Sequence, residues 1–305
     1  MTTQLTRQIL AGDVRALASA ITLAENGDAS AEAVLRAIYP RTGKAQVIGI
    51  TGAGGTGKSS LIDRITAEYR RRNKTVGILA VDPSSVFSNG ALLGDRLRMR
   101  AHFADNRVFI RSFATRGARG GVSAAVRDAI HLLDAAGKDV ILVESIGVGQ
   151  DELEIAALVH MVVVVLIPEM GDEIQAMKAG LAEIADILVV NKADLPGADV
   201  TLQQLRALFT DFDIVATSAA NDEGTRQLVD VIEKHRIRSL GNGQFHAKQL
   251  QLCREELRSL LRARMVAQLE KRIDDYTIDA TARRIAERRV DPYSEAEELA
   301  KKLGL

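Results

Sequence analysis

Cysteine is almost missing from this chain: Cys253 stands alone among 305 residues. An intrachain disulfide framework is therefore excluded, and a reducing compartment is expected. Charge of one sign is also missing. Forty basic residues balance forty acidic ones, for a formal net charge of zero. Proteins held to nucleic acid or anionic lipid by bulk electrostatics lean basic, so neither partner is expected. Long hydrophobic runs are absent too. The most apolar stretch, Met161 to Ile167, is far too short to cross a bilayer and reads as a buried parallel strand. The opening residues, MTTQLTRQILAG, lack a basic start followed by a long apolar stretch. No secretory signal is expected, and the cytoplasm is predicted as the location. The five histidines, His102, His131, His160, His235 and His246, are scattered, which argues against a nickel-type metallochaperone ligand cluster.

What is present is a composition of 47% hydrophobic and 26% charged residues. That supplies ample core for one large domain, or for one domain with appendages. Short β-branched runs recur at QVIGI (46–50), TVGILAV (75–81), RVFI (107–110), DVILVE (139–144), MVVVVLI (161–167), DILVV (186–190) and DIVAT (213–217). Amphipathic helical patterns separate them. Such alternation predicts an α/β fold, a doubly wound and mostly parallel sheet of P-loop NTPase type, with helical N- and C-terminal extensions. Three regions are expected: a helical N-terminal arm over 1–44, a nucleotide-binding domain over 45–240 and C-terminal helices over 241–305. In the arm, Leu5, Ile9, Leu10, Val14, Leu17 and Ile21 predict one helix, with a second ending near Tyr39-Pro40. In the last region, Leu250, Leu257, Leu260, Leu261, Met265 and Leu269 mark a long helix over 247–271, with two more helices after it. A stripe of this kind either packs on its own domain or joins two copies of the chain.

Gly52-Ala53-Gly54-Gly55-Thr56-Gly57-Lys58-Ser59 fits G-x-x-x-x-G-K-[ST] between a predicted strand and a predicted helix. Glycines allow the backbone to wrap phosphates with inward N–H groups, and the helix N-terminus favours negative charge. Lys58 is expected to bridge the β- and γ-phosphates, and Ser59, with Ser60 beside it, to meet magnesium and phosphate. Asn191-Lys192-Ala193-Asp194 follows the strand DILVV as N-K-x-D. A carboxylate at Asp194 accepts from N1–H and the 2-amino group of guanine, donors that adenine lacks. Asn191 would hold the loop and the O6/N7 edge, the Lys192 stem would cover the ring, and Ser218-Ala219-Ala220 would support the base from the other side. Glu144 ends the strand DVILVE, where nucleotide hydrolases place an acid facing the magnesium shell or the attacking water. Gly147 would present a backbone N–H to the γ-phosphate. Asp82 closes TVGILAV at the ligand-binding edge of the sheet, in reach of magnesium through water. GTP or GDP with Mg2+ is thus the expected ligand set. Arg116 and Arg119 are loop cations that could lie near phosphate.

The motifs GAGGTGKSS, VDPSS, NGALLGDRLRM, TRGARGG, VESIGVGQDE, PEMGDEIQAMKAG and NKAD run in this order along nearly the whole chain. On them the sequence resembles the MeaB/ArgK family of SIMIBI-class P-loop GTPases, which includes the methylmalonic aciduria type A protein. The resemblance implies a GTPase that chaperones an adenosylcobalamin-dependent acyl-CoA mutase, gating cofactor loading and protecting the mutase. It also implies a homodimer joined through C-terminal helices. Asp82 and Asp95 look like the magnesium-linked acids of a first switch region, and Glu144, Gly147 and Gln150 like the second. Gly171-Asp172-Glu173 through Lys178 look like a third segment that communicates with the mutase. Departures from the usual family pattern fall at Val86-Phe87-Ser88-Asn89 and at Glu169-Met170. Methylmalonyl-, isobutyryl- and hydroxyisobutyryl-CoA mutases all remain candidate clients. The older family name suggests a kinase of a transport protein, but no acceptor site or base for its hydroxyl stands out.

Overall fold

The computed structural model describes residues 2–82, 99, 102, 104–114, 122–145, 151–168 and 180–303. Seven strands form its one sheet among the described residues: β1 (Gln46–Thr51), β2 (Val76–Asp82), β3 (Val108–Ala114), β4 (Val140–Glu144), β5 (Met161–Leu166), β6 (Ile187–Val190) and β7 (Asp213–Ala216). They lie in the order β3-β2-β4-β1-β5-β6-β7, and every pairing is parallel. Each predicted run becomes a strand. Parallel strands buried on both faces need apolar side chains at every position, which is why the runs are continuous rather than alternating.

Successive residues serve opposite faces of the sheet. Ile48, Ile50, Leu142, Val163 and Ile187 share one core with Leu61, Ile62 and Ile65 of α4 (Lys58–Arg71) and Leu228 and Ile232 of α8 (Thr225–Gly241). Val47, Ile141, Val143, Val164 and Leu188 share the other with Val126, Ala129 and Leu133 of α5 (Val122–Ala135) and Leu202 and Leu205 of α7 (Ala198–Leu208). The short helix α6 (Asp151–Ala156) contributes Ile155 to that second core.

Three N-terminal helices, not two, join the same core. α1 (Thr2–Leu10), α2 (Val14–Glu25) and α3 (Ala29–Ile38) bury Ile9, Leu17, Ile21, Val34 and Ile38. The break between α1 and α2 comes from Asp13, whose carboxylate accepts the Ala16 N–H at 2.8 Å and caps a new helix. Apolar periodicity continues through this break, so spacing alone predicted one helix. Asp134 fastens the segment leading into β1, accepting the N–H groups of Gly43 and Ala45 at 2.5 and 3.0 Å.

The chain divides into two compact units, residues 1–249 and 250–305. Helices α9 (Gln244–Arg272), α10 (Asp275–Ala286) and α11 (Pro292–Leu303) complete the chain. In the second unit Arg284 and Glu295 join α10 to α11 at 3.0 Å. Five residues of the predicted stripe on α9, Leu250, Leu257, Leu260, Leu261 and Met265, are each more than half exposed, and Leu269 is half-buried. Among the described residues no helix is long and apolar enough to cross a membrane.

Candidate functional site

The carboxyl ends of the central strands meet at one edge because of their register. Ile50 pairs with Glu144, Thr51 with Val164, Leu166 with Val190, and Val190 with Ala216. The chain therefore leaves the sheet side by side at Gly52, Ser145, Asn191 and Thr217. Ligands bind at this edge in open α/β sheets.

After β1 the backbone turns sharply. Gly52 has φ +140°, and a Cβ there would lie 2.2 Å from the Val165 carbonyl oxygen, so β5 itself forbids a side chain. Gly57, at φ +88°, caps α4, and a Cβ on it would fall 2.6 Å from Asn191 Nδ2. Gly54 and Gly55 are exposed at the tip of the loop, while Ala53 is half-buried and Thr56 fully buried. The Thr56 hydroxyl donates to the Ala53 carbonyl at 2.9 Å. Lys58 Nζ donates to the Gly52 and Ala53 carbonyls at 2.7 and 3.1 Å, which holds the ammonium group against the loop. Lys58 and Ser59 are buried at the first turn of α4, and Ser60 is exposed beside them.

Two expected magnesium residues come together across the sheet. The Ser59 hydroxyl donates to Glu144 Oε1 at 2.7 Å, with both side chains buried. A hydroxyl and a carboxylate are hard oxygen donors, the chemistry that Mg2+ takes when substrate phosphates complete its shell. Beside them the Ser145 hydroxyl donates to Thr51 Oγ1 at 2.7 Å, a link that no motif announced.

Asn191 is the hub of the second half. It is 1% exposed, and its Nδ2 donates to the Thr56 carbonyl at 2.8 Å. Its Oδ1 accepts from the Thr217 hydroxyl at 3.1 Å and from the Ala219 N–H at 3.2 Å. One side chain thus ties the glycine-rich loop, the β6 loop and the β7 loop together. Oδ1 and one amide hydrogen are committed to the protein, which leaves a single amide hydrogen for any ligand. Thr217 belongs to no motif and ends a β-branched run; its place just before Ser218 is the one signal of its role in the sequence. Lys192 adopts φ +56°, and the Ala193 N–H donates to the Thr217 carbonyl at 2.9 Å. Asp194 is exposed. A base would have to cover it before an unpaired carboxylate could become costly. Ser218 and Ala219 are buried and Ala220 is exposed. Ser218 and Glu223 exchange backbone hydrogen bonds of 3.0 Å that close the loop.

β2 runs through Asp82, one residue beyond the predicted strand, and the Asp82 side chain lies outside the described residues. So do Val86-Phe87-Ser88-Asn89, Asp95, Arg116, Arg119, Gly147, Gln150, Glu169-Met170 and the segment from Gly171-Asp172-Glu173 through Lys178. Among the described residues no cluster of three or more His, Cys, Asp or Glu side chains is grouped to hold a metal ion.

A doubly wound parallel sheet with a glycine-rich strand-to-helix turn, and an N-K-x-D loop tied to it, defines the class of P-loop nucleotide hydrolases. Comparison with known proteins narrows this. Residues 17–274 match the family model described as methylmalonyl Co-A mutase-associated GTPase MeaB. A Pyrococcus abyssi protein named as a GTPase is 42% identical over 314 residues, spanning 99% of this chain and 97% of its own length. The mitochondrial methylmalonic aciduria type A homolog of Caenorhabditis elegans is 37% identical over 206 residues, covering 63% of this chain and 52% of its own. A crystal structure described as an LAO/AO transport system kinase shares the fold with a TM-score of 0.73 at 24% identity, covering 100% of this chain and 98% of that one. The chain belongs to the MeaB family and is a GTPase.

Proposed function

We propose that this GTPase is a magnesium-dependent chaperone of an adenosylcobalamin-dependent acyl-CoA mutase of the methylmalonyl-CoA mutase type. Its nucleotide state gates cofactor loading and protects the mutase. Membership of a family described as mutase-associated carries the reading. The relative named for methylmalonic aciduria type A supports it. On this reading, residues 52–60 hold the phosphates, with Lys58 neutralising the β- and γ-phosphates. Ser59, Glu144, Asp82 and Asp95 serve the magnesium ion, and the Ser59–Glu144 pair at 2.7 Å supports two of these assignments. The ion would neutralise charge developing between the β- and γ-phosphates. Glu144 and Gly147 face the γ-phosphate and its attacking water. Asn191, Lys192, Asp194 and residues 218–220 select guanine. The protein acts in the cytoplasm as a homodimer through residues 241–305, and the open apolar stripe on α9 supports that assignment.

The test is GTP turnover, alone and with cobalamin-dependent mutases from the same source, in the intact protein and in Lys58→Ala. Acceleration by one mutase that disappears in Lys58→Ala supports the reading and identifies the client. Turnover untouched by every mutase overturns the chaperone role.

A further inference from the structure

α4 does more than present Lys58 and Ser59. Two of its side chains reach the loop after β7. Arg64 Nε–H donates to the Ala219 carbonyl at 3.0 Å, and Arg71 pairs with Asp222 at 3.1 Å. Ala219 is therefore held at both of its backbone groups, with its N–H on Asn191 Oδ1 and its carbonyl on Arg64. In a trans peptide the C=O and the following N–H point in opposite directions. All peptide bonds described are trans. A guanidinium gripping the Ala219 oxygen from the α4 side consequently aims the Ala220 N–H away from α4, and Ala220 is exposed.

We infer that Arg64 is a positioning residue for base selection, a role that rests on residues 218–220 being the loop beside the base. Guanine and hypoxanthine present an acceptor, O6, where adenine presents an amino donor. An Ala220 N–H held outward complements the acceptor and opposes the donor. Without Arg64 the Ala219–Ala220 peptide is free to rotate, and its carbonyl can then turn outward and accept from adenine. The loop as a whole stays anchored through Arg71 and Asn191, so one peptide loses its orientation while the loop keeps its place.

The test measures dissociation constants of GDP, IDP and ADP, all with Mg2+, for the intact protein and for Arg64→Gln, Arg64→Lys and Asp194→Asn. Arg64→Gln is expected to narrow the preference for GDP over ADP by about tenfold, the worth of one oriented hydrogen bond. It should leave the GDP-to-IDP ratio unchanged, because both bases carry O6. Arg64→Lys keeps a donor and should retain most of the preference. Asp194→Asn should instead narrow the GDP-to-IDP ratio, because IDP lacks only the 2-amino group. If Arg64→Gln weakens GDP and ADP equally, or alters neither, while Asp194→Asn acts as described, Arg64 has no selective role. If Asp194→Asn leaves the GDP-to-IDP ratio unmoved, the base site itself is misassigned and the inference falls with it.

Discussion

Replacing Asn191 by alanine removes three hydrogen bonds in one step and leaves their partners behind. Those partners are the Thr56 carbonyl, the Thr217 hydroxyl and the Ala219 N–H, and all three residues are at most 5% exposed. A typical net hydrogen bond contributes about 1 kcal/mol, and each buried group left unpaired costs about 1–3 kcal/mol. Water entering the space of the lost amide would recover part of this, so the expected loss is about 3 kcal/mol. Urea unfolding without nucleotide should show a lower midpoint at an unchanged slope. GDP affinity should fall as well, because the glycine-rich loop and the β7 loop lose their common tie. Asn191→Asp sharpens the test. It keeps the acceptor but turns a carboxylate oxygen toward the Thr56 carbonyl, so burial and this repulsion should raise its pKa. A raised folded pKa means the stability belongs to the protonated form, present at low pH and lost as pH rises through that pKa. Asn191→Asp should therefore approach the wild type in acid and fall below it at neutral pH. A loss of less than about 1 kcal/mol in Asn191→Ala, with GDP affinity intact, would refute the hub.

The other expectations concern backbone and protonation. Gly52→Ala must resolve both φ +140° and a 2.2 Å approach to the Val165 oxygen. It should cost roughly 3 kcal/mol or more, whereas Gly54→Ala, with nothing within 4 Å of its Cβ, should cost under about 1 kcal/mol by urea unfolding. At the opposite edge of the sheet a cavity of about 490 Å³ is lined by Gln46, His160, Asp186 and His235, among others. Burial pushes His160 down to about 4 from 6.5, and its Nδ1 accepts the Val47 N–H at 3.1 Å. Between pH 6.5 and about 4 the unfolded chain takes up a proton that the folded His160 refuses, so stability should fall as pH is lowered. The loss is at most about 3 kcal/mol. Burial raises Asp186 despite the Val162 N–H it accepts, and that works in the opposite direction. A His160→Phe variant, unfolded across pH 4–7, should lose the acid sensitivity; an unchanged pH profile would refute the assignment.

What the sequence makes legible and what it hides divide along chain distance. The glycine-rich turn is legible because G-x-x-x-x-G-K-[ST] is a local conformation written in adjacent residues. The five inner strands, β2, β4, β1, β5 and β6, are legible because burial on both faces forces nearly uninterrupted apolar runs. The break at Asp13 is not, since a capping side chain can restart a helix without disturbing its apolar period. The open stripe on α9 is not either, because spacing shows which residues share a face but not whether anything covers them. Hardest to read are the ties across the site. Ser59 and Glu144 are 85 residues apart, and Asn191 and the Thr56 carbonyl are 135 apart. These distances collapse because β1 lies between β4 and β5, with β6 next in order. That order follows from how the helices wind over the two faces of the sheet, and no single run encodes it. Asn191 shows the consequence. N-K-x-D marks it as a residue of the base loop, and only the sheet order makes it the pin of the phosphate loop. Changing Asn191 should therefore disturb phosphate and base binding together, whereas changing Asp194 should disturb the base alone.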